Sequence, residues 1–156
     1  MRRTFLFLAA ATAIFSTTAS AQDVGRAPSF GTINLSAGFA DDPRIVNVTA
    51  GGQRSANGLG DGCVGSIANS PDVRVNYQAG SLPLIFSVAS GEDTTLVING
   101  PDGRWYCNDD TDGVNPVVRF EPADSGQYDV YIGHYGTGRG IAARLYVSEV
   151  TTGGGE

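Results

Sequence analysis

From residue 72 onward, polar and apolar side chains alternate. In Asp72-Val73-Arg74-Val75-Asn76-Tyr77 the period is two, which puts Val73, Val75 and Tyr77 on one side of a strand. The same habit, rich in β-branched and aromatic residues, predicts strands over 82–88, 94–98, 104–107, 117–120, 128–133 and 142–150, and earlier over 30–35 and 44–49. Turn chemistry separates them. Asp41-Asp42-Pro43, Ala79-Gly80-Ser81, Gly91-Glu92-Asp93, Asn99-Gly100-Pro101-Asp102-Gly103 and Glu121-Pro122 each break the alternation where a chain reversal is needed. Gly51 to Gly65, with Ser, Asn and Asp between the glycines, reads as a flexible connection. Beyond the extreme N-terminus no stretch has a helical period. The expectation is an all-β chain: a single antiparallel β-sandwich, jelly-roll or immunoglobulin-like, of about nine strands. It would occupy residues 30–150, between a flexible lead-in at 22–29 and a disordered tail at 151–156.

The first residues change the compartment rather than the fold. Arg2-Arg3, an apolar run from Phe5 to Phe15 and Ala19-Ser20-Ala21 follow the charged, apolar, small-residue order of a secretory signal peptide, with cleavage expected after Ala21. The run is shorter than the roughly 18 apolar residues a membrane helix requires, so no membrane insertion is expected after cleavage. A secreted or periplasmic protein of about one domain's length remains. In it eight arginines face sixteen acids, for a formal charge of −8. That balance argues against a nucleic-acid partner, which needs clustered positive charge to displace counterions. No lysine occurs, so lysine Schiff-base and lysine general-base chemistry are excluded. In an oxidising compartment the two cysteines, Cys63 and Cys107, are expected to form one disulfide between the Gly-rich segment and an acidic loop.

That acidic loop holds the sharpest chemistry. Asn108-x-Asp110-x-Asp112-Gly113 sets oxygen-bearing side chains at alternate positions with glycine sixth, and over those six residues it resembles the calcium loops of EF-hands. It departs from them at the twelfth position, where Arg119 stands in place of a bidentate glutamate. A Ca2+ site would draw on Asn108, Asp109, Asp110, Asp112 and Asn115, with Asp93 reaching in from a neighbouring turn. The alternative is a solvated turn, because Asn and Asp bond readily to their own backbone. Exposed aromatic rings offer a second chemistry: Tyr106, Tyr131 and Tyr135 could stack on sugar rings or peptide. Alternation allows only one of Trp105 and Tyr106, and one of Tyr131 and Ile132, to face outward. Catalysis has little to stand on. His134 is the single histidine, and Ser125 and Ser148 lack a Gly-x-Ser-x-Gly elbow. A pair of carboxylates for glycoside hydrolysis is the residual enzymatic reading.

Residues 72–150 carry a recognisable order. Asp93-Thr94-Thr95-Leu96-Val97-Ile98 is followed by a glycine turn, an aromatic pair with Cys107, an Asn/Asp-rich loop, and Phe120-x-Pro122-x-x-Ser125-Gly126-x-Tyr128-x-Val130-x-Ile132. This resembles the pre-peptidase C-terminal domains, small β-sandwiches of secreted bacterial hydrolases. The resemblance implies a non-catalytic accessory module. The expected partner is a protein or a polysaccharide, with a carbohydrate- or cell-wall-binding domain, suggested by the aromatic rings, as the alternative and a small secreted hydrolase behind it. Asp124 to Tyr128 also resembles the tyrosine corner of immunoglobulin domains. Val130 stands where that family has its second cysteine, so the first resemblance is preferred.

Overall fold

A computed structural model describes residues 23–111, 113–136 and 138–151. The expected signal peptide, residues 1–21, lies outside them, as do Asp112 and the last five residues of the tail. The described residues contain eleven strands and no helix. In chain order these are β1 (Thr32–Ser36), β2 (Arg44–Gly51), β3 (Arg54–Ser55), β4 (Ser66–Ile67), β5 (Val73–Gln78) and β6 (Leu84–Ser90). They continue with β7 (Thr94–Asn99), β8 (Trp105–Asn108), β9 (Val117–Phe120), β10 (Gly126–His134) and β11 (Arg139–Ser148). The nine longer strands are those the alternation marks. The two-residue strands β3 and β4 arise inside the Gly-rich stretch.

Two sheets face each other. One runs β2-β11-β6-β9, and in the other the long strand β10 pairs with β5 and then β4 along one side and with β7 along the other. Between them lie Val73, Val75, Phe86, Leu96, Ile98, Tyr128, Val130, Ile132 and Leu145, all buried, which are the inward positions of the period-two pattern. Phe86, Phe120, Tyr106 and Tyr128 pack together at one end of this core, edge to face except for the tilted Phe86–Tyr128 pair, with ring centroids 4.8–5.9 Å apart. The tyrosine corner is realised: the Tyr128 hydroxyl donates to the Asp124 carbonyl at 2.7 Å and accepts from the Asp124 amide at 3.1 Å. Burial pushes that hydroxyl's pKa up to about 12, so it remains a donor across the physiological range.

Three features depart from the expected plan. β1 runs parallel to β5, not antiparallel to it, from Thr32 opposite Arg74 to Ser36 opposite Gln78. The chain leaves β1 for the opposite sheet, so no hairpin dictates its direction, and parallel pairing still turns Ile33 and Leu35 onto the core. The lead-in is tied down. Ser29 and Phe30 amides donate to the Pro71 and Asp72 carbonyls, and the Arg74 guanidinium bonds the carbonyls of Val24 (2.7 Å) and Arg26 (3.1 Å) while pairing with Asp129 at 2.7 Å. Asp129 is 1% exposed and also accepts from Gln127, so this buried charge is paired and hydrogen-bonded.

The Gly-rich stretch is the third departure, because it is a packed cover instead of a loose connection. Ala56, Cys63 and Ile67 are buried against Val97 and Tyr131, with Leu59, Trp105 and Cys107 at the margin, forming a second small core on the outer face of the β10 sheet. The Cys63–Cys107 disulfide staples it there. Glycine is required where the cover meets the sheet: a Cβ on Gly65, at φ +85°, would lie 2.7 Å from the His134 carbonyl oxygen. At the far end of the sandwich Glu149 is buried. It accepts from the Tyr77 hydroxyl at 2.6 Å and from the Gly38 amide at 2.7 Å, while its own amide donates to Asp42 at 2.9 Å.

Candidate functional site at the loop end

β10 ends at His134, opposite Thr94 of β7 on one side and Ser66 of β4 on the other. That register gathers the 91–93 turn, the 109–116 loop, the tip beyond His134 and the edge of the glycine cover at one end of the sandwich. The loops are fastened to each other. The Tyr135 amide donates to the Asp93 carbonyl at 3.1 Å, the Thr94 amide to the Val114 carbonyl at 3.3 Å, and the Ser66 hydroxyl to the Gly136 carbonyl. His134 Nδ1 accepts from the Gly138 amide at 2.9 Å, which leaves the proton of a neutral ring on Nε2.

His134 has no nucleophile beside it. Ser125 precedes β10 and bonds the Ala79 amide, about 30 Å away along a strand of this length. Ser148 ends β11, where it bonds Asp42. The serine-histidine pairing considered from sequence is therefore not assembled.

In the acidic loop, Asn108 uses its side-chain oxygen to close the turn, accepting from the Thr111 hydroxyl at 2.7 Å and the Val117 amide at 2.9 Å. The Asn115 side-chain oxygen accepts from the Ser90 amide at 3.0 Å. Asp109 and Asp110 lie near enough to Asp93 that both raise its pKa, after the larger effect of burial and against a lowering contribution from His134. The Asp93 Oδ1 atom is buried and has no hydrogen-bond partner among the described residues. Among those residues no three His, Cys, Asp or Glu side chains are gathered closely enough to hold a metal ion, and Asp112 is not among them. The donor chemistry is that of a hard cation. The side-chain oxygens of Asn108 and Asn115 are already engaged, by Thr111 and the β9 amide of Val117 and by the β6 amide of Ser90.

The three tyrosines fall in three environments. Tyr106 faces the inter-sheet core, packs edge to face on Phe120 and donates to Asp102 at 2.7 Å. Tyr131 is fully buried beneath the glycine cover with Trp105 5.7 Å away, so it offers no ring to a ligand. Tyr135 is 55% exposed. It borders a cleft of about 490 Å³ lined by Ser55, Asn57, Val64, Gly65, Ser66 and Gly136. Ser55, Asn57, Val64 and Gly65 belong to the stretch read from sequence as a connection, whose one usable signal was its density of Ser and Asn.

No family model and no curated protein matches the chain. Among solved structures the match is different. The chain is similar in fold to a pre-peptidase C-terminal domain. The structure concerned, solved at 1.0 Å, is the pre-peptidase C-terminal domain of collagenase from Bacillus anthracis, with 16% identity and a TM-score of 0.48, covering 79% of this chain and 98% of that one. The resemblance carried by Pro122, Ser125, Gly126, Tyr128, Val130 and Ile132 names the same family. The likeness is one of fold, and the intrachain disulfide is compatible with an extracellular protein.

Proposed function

We propose that the protein is a secreted or periplasmic, non-catalytic binding module that takes a polysaccharide at its loop end. One observation carries this reading: an exposed tyrosine, held by its own backbone, borders a largely apolar cleft walled by Val64 and glycine backbone, with the Ser55 and Ser66 hydroxyls and the Asn57 amide among its lining. A ring face and an apolar wall receive the C–H surface of a sugar, and Ser55, Asn57 and Ser66 answer its hydroxyls. Because Tyr135 is exposed, Tyr135→Ala should leave the fold intact and weaken retention on the preferred polysaccharide roughly tenfold. Pull-downs on insoluble polysaccharides and on peptidoglycan, wild type beside variant, test it. Uniform flow-through of the wild type would remove the carbohydrate reading and leave a protein partner.

Calcium at the acidic loop is the second element of the proposal, favoured by the unpartnered buried oxygen of Asp93 beside Asp109 and Asp110. With Asp112 these carboxylates would supply the ligands, and the ion would neutralise charges that now oppose each other. Millimolar Ca2+ should raise the melting temperature by several degrees in the wild type and not in Asp93→Asn. A melting curve that calcium does not move would dispose of the ion.

A further inference from the structure

The sheet opposite the glycine cover carries a second surface with a different chemistry. On the outer face of β2-β11-β6, Arg144 lies in register with Asn47 on one side and Ala89 on the other, so these side chains are immediate neighbours. Ala142 precedes Arg144 on the same face, and Tyr146 follows it. The small residues leave an open trough of about 530 Å³, bounded by Asn47 and Arg144 and closed at one end by Asn115 and Ser90. The Arg144 guanidinium lies 5.8 Å from the Tyr146 ring centroid, a contact that orders it against the sheet. Five ion pairs form among the described residues, and Arg144 is in none of them.

The donor set is specific. Arg144 presents a planar fork suited to a carboxylate. The Asn115 oxygen is occupied by the Ser90 amide, which leaves its NH2 group as a donor, and Asn47 adds a second amide. Ala89 and Ala142 supply an aliphatic floor. In a chain with sixteen acids, a polyanion meets long-range repulsion, whereas one carboxylate meets mainly the local arginine. The geometry points to a subsite for a uronate residue, a sugar ring bearing a single carboxylate. The carboxylate pairs with Arg144, the amides take ring hydroxyls, and the ring's C–H face rests on the alanines.

The site is independent of the Tyr135 cleft, which lies on the other sheet. Titrating the 15N-labelled secreted protein with D-galacturonate, and following amide shifts, tests it. Saturable shifts confined to Asn47, Ala89, Asn115, Ala142 and Arg144, weakened roughly tenfold in Arg144→Gln, are expected. The neutral methyl ester and D-galactose should bind correspondingly more weakly. No saturable shifts at high millimolar galacturonate would overturn the proposal, as would shifts centred on Tyr135 or equal binding by galactose. Acetate binding as tightly as galacturonate would overturn the saccharide assignment. Since Arg144 is exposed, its replacement keeps the fold, and an unchanged melting curve for Arg144→Gln verifies this.

Discussion

Replacing Cys63 and Cys107 together by alanine should lower the free energy of unfolding by about 4 kcal/mol. The bridge closes a loop with a sequence separation of 44, and the loop-entropy treatment gives that magnitude for a closure of this length. A second effect adds to it. The glycine cover carries few apolar side chains, Ala56, Leu59 and Ile67, to hold it on the sheet, while its many glycines gain freedom once released. Urea unfolding of the double variant gives the loss. Trp105 reports the location, because it sits against Tyr131 beneath the cover and its emission should shift to the red before the inter-sheet core opens. A loss below about 1 kcal/mol with unshifted emission would mean that the apolar contacts hold the cover without the bond.

The second large effect is a dependence on pH. Asp72 is 2% exposed, and its carboxylate accepts one hydrogen bond, from the Ile132 amide at 2.7 Å. Burial dominates that bond and pushes its pKa up to about 7 from 3.8. The folded protein therefore binds a proton here that the unfolded chain has already released. Stability contributed by the neutral acid is complete below about pH 4, declines as pH rises towards 7, and is gone above it. By linkage the change is of order 4 kcal/mol at most. Asp93 is shifted in the same direction and adds to the slope, so the informative quantity is the difference between wild type and Asp72→Asn. Asparagine keeps an acceptor for the Ile132 amide and cannot ionise. Melting temperatures measured from pH 4.5 to 8.5 should fall in the wild type and fall markedly less in the variant. Parallel profiles would show that Asp72 is ionised in the folded protein across this range.

The alternation was sufficient to find the nine longer strands because a half-buried strand must repeat every two residues. It was silent on the direction of β1, since parallel and antiparallel pairing bury the same side chains. It was equally silent on the glycine cover, whose Ala56, Cys63 and Ile67 follow no period. One signal did point to the cover. Leu96-Val97-Ile98 and Tyr128-x-Val130-Tyr131-Ile132 are apolar on both faces, which a strand open to water on one side would not be. The disulfide was legible from count and compartment. Tyr135 could be nominated as exposed but not separated from Tyr131, because only the cover decides which ring is wet. Arg144 passed unnoticed: an outward arginine on an alternating strand is ordinary, and its trough depends on Ala89, Asn47 and Asn115, brought from three other segments.

The direction of β1 also determines how the domain would carry load. Its N-terminal end sits beside Arg74, whereas the last described residues leave from the opposite end, where Glu149 meets Gly38 and Tyr77. Tension between residues 23 and 151 would draw β1 lengthwise along β5, straining their ladder in shear so that its bonds share the force instead of parting one by one. The parallel strand makes the sandwich a suitable link in a chain that is pulled.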